Sequence, residues 1–172
     1  LHGLNASGVS AGALDAQMLR AQGFERMPNR GWTSVTVPGA VDAWEKLSER
    51  FGKLELRQLL EPAARYAEDG FPVSPVVAFF WQRAAKEFGR LAGAELDGWR
   101  DAFLRDGDAP RAGQRWHLPG HAATLRRLMS AGCRDFYEGH LAAQIAAFAH
   151  ATGGLLSADD LSAHHGEWVE PI

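Results

Sequence analysis

Apolar residues recur at helical spacing along most of this 172-residue chain, and that periodicity limits the fold to a mainly helical one. It predicts helices over residues 10–22, 39–50 and 56–69. A further helix has Ser74 as its N-cap and Pro75 at its first position. Later helices are predicted over residues 99–104, over "PGHAATLRRLMSAG" and over "FYEGHLAAQIAAFAHATGG".

Strand-like residues are few. Residues 32–37 and 168–172 alternate in polarity as strands do, and the first few residues have a similar composition. Two or three short strands do not make a stable sheet. We therefore expect the partner of the closing strand to lie outside this chain. Because the chain also starts at Leu1 and not at methionine, we expect residues 1–172 to form a single truncated domain.

The composition is that of an ordinary globular chain. A hydrophobic content of 46% is enough for a core. The net charge of -3 comes from 18 basic and 21 acidic residues spread along the chain, so we predict no nucleic-acid partner. The apolar run "VSPVVAFFW" is too short for a membrane span. Cys133 is the only cysteine, which excludes an internal disulfide and leaves the cellular compartment open.

Four unusual strings follow one another in a fixed order, and they carry a family resemblance. Together they resemble the large-subunit portion of gamma-glutamyltransferases, the gamma-glutamyltranspeptidase family of N-terminal-nucleophile hydrolases. The resemblance implies a mainly α fold: the helical large-subunit portion of an αββα hydrolase, with two or three short strands at its edges. The strings are "SVTVPGAVDAW" (34–44), "FGKLELRQLLEPAARYAEDGFPVS" (51–74), "DFYEGHLAAQIA" (135–146) and "GGLLSADDLSAHHGEWVEPI" (153–172).

The resemblance also implies a reaction. Members of the family are proenzymes that cut themselves and expose a threonine at the start of a small subunit. Its hydroxyl attacks a gamma-glutamyl or related acyl amide, and the acyl group passes to water or an amine. The threonines of this chain lack the Thr-Thr-His-like context of that nucleophile. The resemblance therefore implies no catalytic residue here and no cofactor. The partner would be the small subunit of the same proenzyme, and the chain alone is expected to be inactive.

One substrate contact of the family comes from the large subunit. An arginine in an Arg-Glu-x-Ala-Pro-like motif binds the substrate α-carboxylate, as a bidentate guanidinium can. Matching the helix that follows this motif without gaps places Ser7 at the arginine position. Ser7 cannot supply the charge, and this departure resembles the branch with cephalosporin-acylase-like members. Arg20, Arg26 and Arg30 are candidates to replace it, and the spacing selects none of them.

Two other pairs of residues have the composition of a reactive site. His117 and His121 have the spacing of metal ligands, but Pro119-Gly120 lies between them and no third ligand is evident, so we predict no metal site. Cys133 and His140 could form a nucleophile and base, but no orienting group is apparent, which favours a structural cysteine.

The closing stretch contains two polar pairs. Asp159-Asp160 is typical of a capped helix start, and His164-His165 is predicted to be a solvated loop pair. A second hypothesis for the whole chain is a freestanding helical interaction module without catalytic activity. The reading frame beyond Ile172 would separate the two: a Thr-Thr-His-like motif supports the enzyme, and a stop codon supports the module.

Overall fold

The computed structural model describes residues 1–171, and it confirms the mainly helical fold. Short strands β1 (Gly3–Asn5), β2 (Phe71–Pro72), β3 (Arg115–Trp116) and β4 (Glu167–Val169) join the helices. The helices are, in chain order, α1 (Ala16–Ala21), α2 (Ala40–Phe51), α3 (Leu56–Asp69), α4 (Pro75–Phe88), α5 (Asp97–Phe103), α6 (Pro119–Ala131), α7 (Asp135–Glu138), α8 (His140–Ala151) and α9 (Ala158–Ser162). None of the helices in the described residues is long and apolar enough to cross a membrane.

The chain divides into two compact units. The first unit contains residues 1–56 and 130–171, and the second unit contains Arg57–Met129. The core of the first unit includes Val37, Ala149 and Leu161, which are almost fully buried. In the second unit Val73, Ala78 and Trp116 are buried, and the half-buried side chains of Phe71, Trp81 and Leu118 pack against them.

The closing strand has its partner within the chain, so the expectation of an external partner was wrong. β4 pairs antiparallel with β1, with Leu4 opposite Trp168. This pairing could not be predicted from local sequence patterns, because β1 is only three residues long and lies at the opposite end of the chain from β4. Ile172, the last residue of the predicted strand, lies outside the described residues.

The prediction of a strand over residues 32–37 was also wrong. Trp32–Ser34 forms a 3₁₀ turn that starts after Gly31, whose φ of 86° suits glycine. The Ser34 hydroxyl donates to the Gly31 carbonyl, a local hydrogen bond that competes with strand pairing. Of the predicted strand, Thr36 keeps a single isolated bridge to Ser10.

Several helix boundaries follow the predicted capping residues. α2 and α3 lie within one residue of the predicted ranges, and Gly70 has the left-handed conformation of a C-terminal cap. The Ser74 hydroxyl accepts a hydrogen bond from the Val77 amide, as an N-cap does. Pro62 lies inside α3, and one helix runs through it.

Two helices are shorter than predicted, each because of an aspartate. α1 starts only at Ala16, since the Asp15 carboxylate caps it by accepting from the Met18 amide. The single helix predicted after residue 135 is two helices, α7 and α8, with a break at Gly139. The Asp135 carboxylate accepts from the amides of His140 and Leu141, which stabilises the new helix start.

Candidate functional site

Ser7 is exposed on a loop, residues 5–10, that we call the Ser7 loop. Its amide donates to the Asn5 side-chain oxygen at 3.0 Å, which tightens the turn after β1. Further along the loop, the Val9 carbonyl accepts a hydrogen bond from the Val37 amide at 3.0 Å. The loop is thus attached through its backbone to the segment that leads into α2.

Two glycines allow this attachment by leaving out a side chain. A Cβ added at Gly8 would lie 1.9 Å from the Val37 carbonyl oxygen, and one at Gly39 would lie 1.7 Å from the Ala6 carbonyl oxygen. Both distances are far shorter than any van der Waals contact, so a larger residue would separate the two segments. The Pro38-Gly39 turn therefore needs its glycine for close approach.

Behind this turn lie three buried polar side chains, Asp42, Tyr137 and His164, which we call the Asp42 cluster. The Tyr137 hydroxyl donates to the Pro38 carbonyl at 2.8 Å and accepts from the Asp42 amide at 3.0 Å. The Asp42 carboxylate accepts from the Gly166 amide at 2.7 Å and from the Lys46 ammonium at 2.6 Å. Three separate segments of the first unit therefore meet through side-chain hydrogen bonds: the Pro38 turn with α2, the α7 helix and the chain at Gly166.

The cluster fixes the protonation of its members. Burial would raise the pKa of Asp42, but the hydrogen bonds from Lys46 and the Gly166 amide outweigh it and hold that pKa below its usual range. Burial raises the pKa of Tyr137 to about 12, so its hydroxyl keeps the proton that it donates. The cluster is therefore a carboxylate accepting hydrogen bonds beside a neutral phenol.

His164 is buried, and the predicted solvated pair was wrong for this residue. Its ring stacks on Tyr137, with centroids 5.1 Å apart and planes inclined by 25°. Its Nε2 has no hydrogen-bond partner among residues 1–171 and lies 4.0 Å from the Asp42 carboxylate, beyond hydrogen-bond range. Burial lowers the pKa of His164, and the nearby Asp42 charge only partly opposes this. His165 is exposed, because the chain turns between the two residues.

Three residues of the pairs considered as reactive sites, His117, His121 and Cys133, are engaged in local hydrogen bonds or packing. His117 precedes α6 and its Nδ1 lies 2.9 Å from the Glu68 carbonyl, while the His121 ring packs edge-on against Phe103. The described residues contain no group of three or more His, Cys, Asp or Glu placed to hold a metal. Cys133 is fully buried, and burial together with nearby acidic side chains raises its pKa to about 12, which disfavours the thiolate.

The predicted capping role of the acidic pair is confirmed for Asp160. Its amide donates to the Ser157 hydroxyl, and its carboxylate accepts from the Ser157 amide, which forms a capping box at α9. The same carboxylate accepts from the Gly12 amide at 2.8 Å, so it also holds the chain that follows the Ser7 loop. Asp159 lies in the first turn of the helix.

Neither the arginines nor the cavities mark a substrate site by themselves. Arg20, Arg26 and Arg30, the candidates to replace the charge at position 7, are all exposed. In the second unit, a cavity of about 380 Å³ is lined by Tyr66, Arg115 and neighbouring residues. Its lining contains neither Ser7 nor the Asp42 cluster.

Comparison with known proteins decides the family. The family model for gamma-glutamyltranspeptidase matches residues 1–172. The chain belongs to the gamma-glutamyltranspeptidase family. It is 38% identical, over 88% of its length, to the glutathione hydrolase-like YwrD proenzyme of Bacillus subtilis, and it covers 28% of that relative. It is 34% identical, over 98% of its length, to the oxamate amidohydrolase proenzyme of Klebsiella pneumoniae, covering 32% of it.

The fold agrees with this family. The crystal structure of cephalosporin acylase from Bacillus halodurans matches the whole chain with a TM-score of 0.95 and 42% identity. The chain covers 32% of that protein, so it spans about a third of the length of these three relatives.

Sequence reasoning missed the Asp42 cluster in this family member. The "VPGAVDAW" string was interpreted as a turn and an amphipathic helix, in which Asp42 falls at an unremarkable position in the first turn. Tyr137 is a buried aromatic residue, and the sequence pattern around it does not indicate its two hydrogen bonds. The available signal was the acidic residue directly after the turn and beside the apolar Val41.

Proposed function

We propose that this chain is part of the large subunit of a proenzyme whose processed form cleaves gamma-glutamyl or related acyl amides. The acyl group would pass to water or to an amine. The observation that carries the proposal is the family match over residues 1–172, together with relatives that are named hydrolase, amidohydrolase and acylase. That match favours an enzyme over a freestanding interaction module.

The nucleophile of this proposal is an N-terminal threonine on the rest of the polypeptide, the small subunit. Two threonines of this chain are engaged in local structure, since the Thr124 hydroxyl donates to the Gly120 carbonyl and the Thr152 hydroxyl donates to the Phe148 carbonyl. We expect the isolated chain to release no nitroaniline from gamma-glutamyl-p-nitroanilide. Turnover that copurifies with the isolated chain through repeated columns would place the chemistry here and refute this assignment.

The proposal includes a preference among acyl groups, which follows from Ser7. This residue stands where the family arginine binds the substrate α-carboxylate, and it carries no charge. Losing a charge-assisted bidentate contact typically costs a few kcal/mol, on the order of a hundredfold in specificity. The full-length parent should therefore discriminate only weakly between gamma-glutamyl and 4-aminobutyryl amides, which differ only in the α-carboxylate.

The test compares kcat/KM for the two p-nitroanilides in the processed parent and in Ser7→Arg. The variant should shift the ratio toward the gamma-glutamyl substrate. Val9→Arg is the matched control, because it adds the same charge to the same loop at a residue that is 63% exposed. A strong gamma-glutamyl preference in the unmodified parent would mean that another cation binds the carboxylate and that Ser7 is not the matching position.

A further inference from the structure

The Ser7 loop is held by backbone contacts that leave little room. The Ala6 carbonyl oxygen lies against Gly39, and a Cβ at Gly166 would lie 3.3 Å from the Ala6 Cβ and 2.6 Å from the Asp42 carboxylate. The loop thus lies against two segments, the Pro38-Gly39 turn and the chain that leads into β4. Movement of either segment would be transmitted directly to the residues beside Ser7.

The Asp42 cluster bonds to both segments at once. Tyr137 donates to Pro38 and so holds the turn, while the Asp42 carboxylate accepts from the Gly166 amide and so holds the chain before β4. The Asp42 amide donates to the Tyr137 hydroxyl and links these two hydrogen bonds. Because hydrogen bonds constrain both distance and direction, they fix the position of the loop more narrowly than apolar packing alone would.

His164 completes this arrangement at the back of the turn. Its side chain is 3% exposed, its ring covers one face of Tyr137, and a Cβ at Gly39 would lie 3.0 Å from its Nε2. Burying the Nε2 nitrogen without a hydrogen bond among the described residues costs folding free energy. The stacking keeps the Tyr137 ring oriented toward Pro38, and the Nε2 faces the same glycine that the Ser7 loop abuts.

We propose that Asp42, Tyr137 and His164 are positioning residues, which set the place of the Ser7 loop and thereby its fit to the acyl group of the substrate. They touch no reacting atom and act through the two segments that contact the loop. The part of this proposal that concerns substrate rests on the proposed function, whereas the part that concerns the loop does not.

The central variant is Tyr137→Phe in the processed full-length parent, because it removes only the hydroxyl. A positioning role predicts a roughly five- to tenfold rise in KM for gamma-glutamyl and glutaryl anilides at nearly unchanged kcat, as expected for one lost hydrogen bond. An unsubstituted butyryl anilide, which lacks the polar acyl end, should show a much smaller change. Tyr66→Phe is the matched control, since that tyrosine is 63% exposed.

A second readout does not depend on activity. The Val37 amide, which donates to Val9 on the loop, should exchange its hydrogen faster in Tyr137→Phe than in the parent, and Tyr66→Phe should leave it unchanged. Asp42→Ala should have the same two effects, while Asp42→Asn should restore much of the KM because its amide oxygen can still accept from Gly166. This rescue covers the case in which one variant folds poorly.

The outcomes are separable. Faster Val37 exchange with a raised KM supports the proposal in full. Unchanged exchange in Tyr137→Phe overturns it, and faster exchange with an unchanged KM overturns the substrate part by showing that the cluster is only structural. If the parent hydrolyses none of the anilides, the proposed function fails, and the exchange rate of Val37 still decides whether the cluster positions the loop.

Discussion

The two units of this chain use different physical means to hold their centres together. The second unit packs aromatic rings: the Trp116 ring lies 5.4 Å from Trp81, and Trp81 lies 5.5 Å from Phe103, both edge-on. The first unit places Asp42, Tyr137 and His164 in its interior and bonds them to the backbone. Aromatic packing is strong but tolerates small shifts, whereas buried hydrogen bonds fix geometry.

This difference coincides with the place of the candidate site. The first unit carries the Ser7 loop, whose position would matter for substrate binding, and buried polar groups are justified where geometry has to be maintained. In the second unit the aromatic rings make the hydrogen bonds themselves, since the indole N–H groups of Trp81 and Trp116 donate to backbone carbonyls, and buried polar side chains such as Asp42 have no counterpart among the described buried residues of that unit. The comparison teaches that the more costly polar interior lies beside the candidate site.

The largest effect is expected in the aromatic centre. Trp116 is 2% exposed, and Trp116→Ala should lower the free energy of unfolding by about 3–5 kcal/mol, since it removes a large buried ring and leaves a cavity. Hydrogen exchange should show the loss over residues 57–129. Trp44→Ala, at a tryptophan that is 42% exposed, is the control and should cost much less. Equal losses in the two variants would mean that the second unit is not held by its aromatic centre.

A smaller effect is expected from Asp42→Ala in the first unit. The change leaves the buried Gly166 amide without an acceptor, and losing such a charge-assisted bond costs about 2–3 kcal/mol. Chemical denaturation measures the loss, and Asp42→Asn should recover part of it. The control is Asp97→Ala, which breaks an ion pair of Arg100 at a carboxylate that is 67% exposed and should have little effect. If Asp42→Ala lost as little stability as Asp97→Ala, the buried hydrogen bonds of Asp42 would not be what holds the first unit together.

Features set by neighbouring residues could be predicted from the sequence, whereas contacts between distant residues could not. Apolar periodicity and caps such as Ser74 act within a few residues, and they predicted α2, α3, α4 and α6 closely. The pairing of β1 with β4 joins the two ends of the chain, so no local pattern contained it. The Asp42 cluster was missed for the same reason, because Asp42 and Gly166 are 124 residues apart.

Local side-chain hydrogen bonds account for the remaining errors. Asp15 and Asp135 moved helix starts, and the Ser34 hydroxyl helped to replace a strand by a turn. Each acts by offering the backbone an alternative partner, which a pattern of apolar residues does not record. Ser7 was located by resemblance, and its role in substrate binding stays a prediction.

The next effect concerns the end of the first unit. The Ser157 hydroxyl accepts from the Asp160 amide in the capping box of α9, and Ser157→Ala should cost about 1 kcal/mol of unfolding free energy. Ser162→Ala, in the last turn of the same helix, is the control, because its hydroxyl only donates to the Asp159 carbonyl. Thermal unfolding of the pair measures the difference. If the two variants melt together, the capping box does not stabilise the closing segment.

The smallest effect is a dependence on pH that belongs to the first unit, since it rests on one proton. The pKa of His164 is lowered by burial; Asp42 opposes this, and the charges of His165, Lys46 and Arg134 add to it. Around the ordinary imidazole pKa of about 6.5, the unfolded chain therefore binds a proton that the folded chain does not. Stability is complete above that pH and falls as the pH drops toward the lowered pKa of the folded state.

His164→Phe tests this expectation while keeping a ring against Tyr137. Between about pH 5 and pH 8 the melting temperature of the parent should fall with acidification more steeply than that of the variant. His165→Phe, at the exposed neighbour, should retain the slope of the parent. A slope that survives in His164→Phe would assign the acid sensitivity to another group, and the unpartnered Nε2 would then carry no proton linkage. A slope lost only in that variant would assign the acid sensitivity to the His164 imidazole.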